Sequence, residues 1–70
     1  MSIFTDNLVR YRNKRRLTQE ELAKRVGVSQ PAIAQYESGT ATPKLYVTEK
    51  LANALGTTIE QLLKGDENNA

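Results

Sequence analysis

Amide side chains between residues 29 and 38 are the groups of this sequence best suited to specific recognition chemistry. The segment reads SQPAIAQYES and contains Gln30 and Gln35 but no lysine or arginine. A glutamine amide presents one donor and one acceptor, which matches N7 and N6 of adenine in the major groove of DNA. A bidentate arginine, the commonest contact to guanine, is missing from the segment. If this segment reads bases, we expect it to prefer A·T pairs.

Catalysis and metal binding find little support in the composition. The 70 residues include no histidine and no cysteine. The commonest general base and metal ligand is therefore missing, as are disulfides and thiolate zinc sites. Glu20 and Glu21 could act as the carboxylate pair of a hydrolase, but a helix start explains them better. We expect no enzyme, no catalytic residue, no cofactor, no metal and no small-molecule ligand.

Positive charge is concentrated early in a chain whose formal net charge is +2. The basic cluster comprises Arg10, Arg12, Lys14, Arg15 and Arg16. Such a cluster attracts nucleic acid, although it is more often the solvated face of a helix. The chain has no apolar run near the ~20 residues that span a bilayer. Its start, MSIFTDN, lacks the basic and apolar regions of a signal peptide, so we expect a soluble, cytoplasmic protein that avoids membranes.

Capping signals and glycines divide the sequence into five helices, without any strand pattern. The predicted helices are residues 6–16 behind a cap at Thr5 or Asp6, the segment between Thr18 and Gly27, Ser29 to Ser38, Lys44 to Leu55, and the segment between Thr58 and Gly65. The inner stripe of the fourth helix is predicted to be Leu45, Leu51, Ala52 and Leu55, and the fifth helix carries Ile59, Leu62 and Leu63 at helical spacing. We expect one domain over residues 1–65 and a disordered polar tail over residues 66–70.

The second and third predicted helices have the lengths and the turn of a helix-turn-helix. Ala23 is small where two helices must cross closely, Gly27 permits the turn, and Ile33 and Tyr36 return apolar groups to the core. The stretch TQEELAKRVGVSQPAIAQYESG, with LANALGTTIEQLL further on, resembles the Cro and lambda-repressor family of helix-turn-helix proteins over roughly residues 5 to 64. The resemblance implies an all-α, five-helix, lambda-repressor-like domain. Thr48 and Thr57 depart from the family's usual aliphatic residues.

The same resemblance implies a transcriptional regulator that binds double-stranded DNA with residues 30–38 in the major groove. From its small size we expect a phage or mobile-element repressor. We also expect a homodimer on an inverted-repeat operator, joined through Leu63, Tyr46 or the region of the last two helices. The alternative is an antitoxin-like protein-interaction module that also regulates its own promoter.

With Ile33 placed at the core, an idealised helix turns one short-chained arc outward. The predicted base-reading residues are Gln30, Pro31, Ala34 and Gln35. Ala32 is a further candidate for contact with a thymine methyl group. The predicted phosphate-contacting and positioning residues are Gln19, Ser29, Thr40, Thr42, Lys44 and Arg10. The resemblance also implies that Gln19 helps to orient Gln30. The alternative is that these polar residues are only solvated or sit beside helix caps.

Arg12 and Glu37 are predicted to have a structural role. Arg12 lies four residues after Leu8, and Glu37 lies four residues after Ile33, so each charge shares the inner face of its helix. We expect the two to form an internal ion pair, which the resemblance also implies. Otherwise both side chains extend to the rim of the core.

Overall fold

The computed structural model describes residues 2–65, which contain five α-helices. They are α1 (Ile3–Lys14), α2 (Gln19–Val26), α3 (Gln30–Ser38), α4 (Leu45–Leu55) and α5 (Ile59–Lys64). The prediction of an all-α, five-helix domain with a helix-turn-helix at α2 and α3 is confirmed. The predicted tail over residues 66–70 lies outside the described residues.

The start of α1 differs from the prediction. Ser2 caps the helix, because its side-chain oxygen accepts a hydrogen bond from the Thr5 amide at 3.2 Å. Thr5, which was expected to act as a cap, is buried inside the helix and donates its hydroxyl to the Ser2 carbonyl oxygen at 2.8 Å. The helix also ends earlier than expected, since Arg16 takes a positive φ of 56° and turns the chain toward Leu17.

The core is formed by apolar side chains from all five helices. α1 packs against α3 and α5, and α2 packs against α3 and α4. The largest fully buried side chains are Leu8, Leu22, Ile33, Leu51, Leu55 and Leu62. These contacts fix α3 on a base made of α1 and α2.

Leu45 does not lie in the core, contrary to prediction, and Leu63 is exposed too. Leu45 is 68% exposed and Leu63 is 53% exposed. Leu45 is the first residue of α4, and because helical side chains lean toward the N-terminus it projects past the packed part of that helix. Leu63 follows the buried Leu62 by one position, which places it about 100° around α5. Both leucines line an apolar groove with Phe4, Pro43 and Ile59.

Thr48 occupies an inner position of α4 without leaving a buried polar group unpaired. It is 7% exposed, and its hydroxyl donates to the Lys44 carbonyl oxygen at 3.1 Å. Thr57 instead donates its hydroxyl to the side-chain oxygen of Gln61 at 2.5 Å. Both departures from the family pattern are therefore satisfied by local hydrogen bonds.

Candidate nucleic-acid interface

The turn between α2 and α3 is specified by local sequence. Gly27 ends α2 with a φ of 83°, a left-handed conformation that glycine adopts without steric cost. Its amide and that of Val28 both donate to the Ala23 carbonyl oxygen, at 2.8 Å and 3.0 Å. Ser29 then caps α3, since its hydroxyl oxygen accepts from the Ala32 amide at 3.2 Å. The second helix of the motif thus leaves the turn in a defined direction.

A complete capping box begins α2. The Thr18 hydroxyl oxygen accepts from the Glu21 amide at 3.0 Å, and the Glu21 carboxylate accepts from the Thr18 amide at 2.8 Å. These hydrogen bonds from Thr18 lower the pKa of Glu21 below its ordinary value. The box accounts for Glu21 structurally, as expected from the sequence.

α3 exposes the arc that the helical wheel places outward. Gln30, Pro31, Gln35 and Ser38 are exposed, Ala32 and Ala34 are half-buried, and Ile33 and Glu37 are buried. Because the outward residues are short or end in amides and hydroxyls, the arc carries no formal charge. Such a face can approach the edges of bases closely.

Beneath α3, Arg12 and Glu37 form the expected ion pair. Arg12 Nε donates to Glu37 Oε2 at 2.6 Å and Nη2 donates to Oε1 at 3.1 Å, so the contact is bidentate. The third guanidinium nitrogen, Nη1, donates to the Leu17 carbonyl oxygen at 2.7 Å. Arg12 is 14% exposed and Glu37 is 7% exposed. The guanidinium therefore links α1, the loop before α2, and α3.

Two glutamines extend this pair to the surface. Gln19 Nε2 donates to Glu37 Oε1 at 3.0 Å, and Gln30 Nε2 donates to Gln19 Oε1 at 2.8 Å. The resemblance had implied that Gln19 helps to orient Gln30, whereas the link from Glu37 to Gln19 was missed. A signal for it existed, because a buried carboxylate has room for more hydrogen bonds than the two that one arginine provides.

The loop that follows α3 holds three of the predicted phosphate-contacting residues. Thr40, Thr42 and Lys44 are all exposed. The Thr40 hydroxyl lies 2.9 Å from the Ser38 hydroxyl, and the Thr40 amide donates to the Gln35 carbonyl oxygen at 3.0 Å. The loop is thus tied to the end of α3.

The residues of the basic cluster make different kinds of contact. Arg10 and Lys14 both approach the Tyr11 ring, each with its charged atom 5.7 Å from the ring centroid. Arg15 had been grouped with the charges that attract DNA, but its Nε donates to the Leu55 carbonyl oxygen at 3.1 Å. It caps the C-terminal end of α4, where a positive charge is favourable. Arg12 and Arg15 therefore hold the fold together.

Neither a metal-binding cluster nor a membrane-spanning helix is found within residues 2–65. His, Cys, Asp and Glu side chains do not gather there in groups of three or more that could hold a metal ion. None of the helices in this part of the chain is long and apolar enough to cross a membrane.

Comparison with known proteins gives consistent matches. A family model described as helix-turn-helix matches residues 8–62. The cryptic phage CTXphi transcriptional repressor RstR of Vibrio cholerae is 39% identical over 67 residues, which cover 96% of this chain and 60% of the repressor. An HTH-type transcriptional regulator of Methanothermobacter thermautotrophicus is 43% identical over 61 residues, covering 86% of this chain and 88% of that protein.

An antitoxin is also similar to this chain. Antitoxin HigA1 of Mycobacterium tuberculosis is 36% identical over 59 residues, covering 84% of this chain and 40% of the antitoxin. The chain spans less than two thirds of the length of several curated relatives, the repressor and the antitoxin among them.

Proposed function

Because the chain belongs to the helix-turn-helix family, we propose that it is a transcriptional regulator that binds double-stranded DNA in a sequence-specific manner, as a repressor. The single observation that carries this proposal is the outward face of α3. It exposes side-chain amides, while the opposite side of the helix is packed against the core. Gln30 is held by Gln19 at 2.8 Å, while Ile33 anchors the opposite side of the helix in the core. A helix that is supported from below and exposes hydrogen-bonding side chains is suited to reading base edges in the major groove.

In this proposal Gln30 and Gln35 read bases, and Pro31 and Ala34 allow the helix to approach them closely. Each glutamine can pair with the N6 and N7 edge of adenine, so the bound site is rich in A·T pairs where α3 contacts it. A half-site dominated by guanine would contradict this assignment.

The proposed phosphate contacts surround that face. Gln19 and Ser29 lie at the N-terminal ends of α2 and α3, where amides and the helix dipole favour anions. Thr40, Thr42 and Lys44 extend the contact along the loop after α3, and Arg10 adds attraction that falls off beyond about 8 Å at physiological salt. These contacts position the protein on DNA without reading its sequence.

We further propose a homodimer on an inverted-repeat operator. Leu45, Tyr46 and Leu63 are large apolar side chains exposed on α4 and α5, on elements other than the reading helix. Two copies joined there would contact half-sites about 34–36 Å apart, or a multiple of that distance. The spacing of half-sites in a selected operator measures this directly.

A second function is favoured by the similarity to the antitoxin HigA1. In that case the chain binds a partner protein and regulates its own promoter. Copurification with a second small protein, together with loss of DNA binding by the purified chain, would support it over the first proposal.

Selection of bound duplexes from a random pool tests the main proposal. The wild-type chain should select one sequence, prefer it by about a thousandfold over random duplex, and lose affinity steeply as salt rises. The double variant Gln30→Ala with Gln35→Ala should lose the preference and keep the salt dependence, since the phosphate contacts remain. Gln61→Ala, which removes an exposed glutamine from α5, is the matched control and should bind like the wild type. An unchanged selection profile in the double variant would overturn the proposal.

A further inference from the structure

We propose that buried Glu37 is a positioning residue for base recognition, because it dictates which way the Gln30 amide faces. The inference rests on the proposed function and deepens it. It assigns a role in specificity to a side chain that is itself only 7% exposed.

The argument begins with the chemistry of the carboxylate. An ionised carboxylate accepts hydrogen bonds and donates none, and a guanidinium donates and does not accept. Arg12 donates to both oxygens of Glu37, at 2.6 Å and 3.1 Å. These two hydrogen bonds fix the orientation of the carboxylate, whose oxygens act as acceptors. Since Arg12 is also bonded to the Leu17 carbonyl oxygen, neither partner can turn without breaking other contacts.

Gln19 is therefore restricted to one of its two amide orientations. The nitrogen and oxygen of a glutamine amide differ little in size, so hydrogen-bond partners decide which one points where. Glu37 Oε1 can only accept, so Gln19 directs Nε2 toward it at 3.0 Å. The Gln19 oxygen then faces Gln30.

The orientation of Gln19 in turn restricts the amide orientation of Gln30. Gln19 Oε1 can only accept, so Gln30 donates one hydrogen of Nε2 to it at 2.8 Å. One N–H and the carbonyl oxygen of Gln30 remain for a base. This pattern of one donor and one acceptor fits N7 and N6 of adenine and opposes guanine, which presents acceptors at both N7 and O6.

Removing the restriction on the Gln30 amide changes which donors and acceptors it offers to a base, and does not only weaken the contact. Without Gln19, both N–H groups of Gln30 become available, and guanine becomes an acceptable partner. In Glu37→Gln the new amide oxygen keeps the shortest contact to Arg12, at the site of Oε2. At the site of Oε1 its NH₂ then faces Arg12 Nη2, which loses its acceptor, and Gln19, which must reverse. Gln30 in turn uses its oxygen toward Gln19 and offers two donors to the base. This variant should therefore favour guanine more than Gln19→Ala does.

The experiment measures affinity for duplexes that carry adenine or guanine at the base pair identified by Gln30→Ala. Gln19→Ala should lower the adenine-to-guanine ratio by about tenfold, and Glu37→Gln by at least as much. The base pair identified by Gln35→Ala serves as an internal reference and should keep its ratio in both variants. A purely structural role for Glu37 would weaken binding to both duplexes equally. If Glu37→Gln does not fold, Glu37→Asp decides the question: it keeps the negative charge beside Arg12, but its side chain is one methylene too short to bond both Arg12 and Gln19, so it should lower the ratio as well.

The outcomes separate the inference from the function on which it rests. If Gln30→Ala changes the ratio and Glu37→Gln does not, the positioning role of Glu37 is wrong and the proposed function stands, whatever the effect of Gln19→Ala. If the wild-type chain shows no base preference at any position, both are wrong.

Discussion

Helices α1 to α3 and helices α4 to α5 all bury apolar side chains, but they differ in where they place charged groups. The first three bury charge, with Arg12 and Glu37 paired beneath an uncharged amide face. The last two bury mainly aliphatic side chains and leave Leu45, Tyr46 and Leu63 exposed. Hydrogen bonds are directional, whereas apolar burial is not. The proposed base reading therefore depends on directional hydrogen bonds in the first region, and the proposed dimer on apolar burial in the second, so the two regions should respond differently to mutation.

The largest effect should come from breaking the buried charge pair. Glu37→Ala leaves the Arg12 guanidinium in a nearly buried position without its carboxylate, which should lower the free energy of unfolding by about 3–5 kcal/mol. Denaturant unfolding followed by circular dichroism measures this. Glu49→Ala removes an exposed carboxylate from α4 and is the control, with an expected change within about 0.5 kcal/mol. Equal effects of the two substitutions would mean that the first region does not depend on its ion pair.

Two neighbouring leucines test the second region. Leu62 is fully buried, so Leu62→Ala should cost about 2–5 kcal/mol through lost burial and a residual cavity. Leu63 is 53% exposed, so Leu63→Ala should change the stability of the monomer by about 0.5 kcal/mol or less. Sedimentation equilibrium should show weaker self-association for Leu63→Ala, because its apolar surface is then smaller. Unchanged association would remove Leu63 from the proposed dimer contact.

The elements predicted well from sequence are those determined by residues close together in the chain. The ends of α2 and α3 follow from Thr18, Gly27, Ser29 and Gly39, whose side chains or backbone conformations act within one helical turn. The outward arc of α3 follows from the period of the helix once Ile33 is placed inside. Such features need no knowledge of how distant segments meet.

The features that the sequence did not reveal depend on contacts between distant segments. Asn7 is buried and donates to the Leu62 carbonyl oxygen at 3.0 Å, and Arg15 reaches the Leu55 carbonyl oxygen. Both cap the ends of other helices, which no local pattern signals. The exposure of Leu45 likewise depends on how far the other helices extend along α4. The link between Glu37 and Gln19 is of the same kind, since it exists only when α2 and α3 are packed together.

The smallest expected effect on stability comes from the helix starts, where α2 uses a charged side chain and α5 uses a neutral one. α2 begins with a carboxylate that accepts from the Thr18 amide, whereas in α5 the corresponding Gln61 accepts from the Thr57 hydroxyl. The Thr18 hydrogen bonds lower the pKa of Glu21 in the folded chain from its ordinary value of 4.5. Ionised Glu21 therefore stabilises the fold above that value, and the stabilisation is lost as the pH falls through the lowered pKa.

Glu21→Gln keeps a neutral acceptor at the same position and so isolates the charge. Thermal unfolding should show the wild-type chain to be slightly more stable than Glu21→Gln at neutral pH, with the difference closing below pH 4.5. Glu49→Gln changes an exposed carboxylate away from any helix start and should leave the pH profile nearly unchanged. If the difference between wild type and Glu21→Gln persists undiminished at pH values well below 4.5, then the carboxylate charge is not what distinguishes the start of α2 from that of α5. If it closes as expected, ionisation accounts for the difference, because Glu21→Gln keeps nearly the same shape and still offers an oxygen to the Thr18 amide.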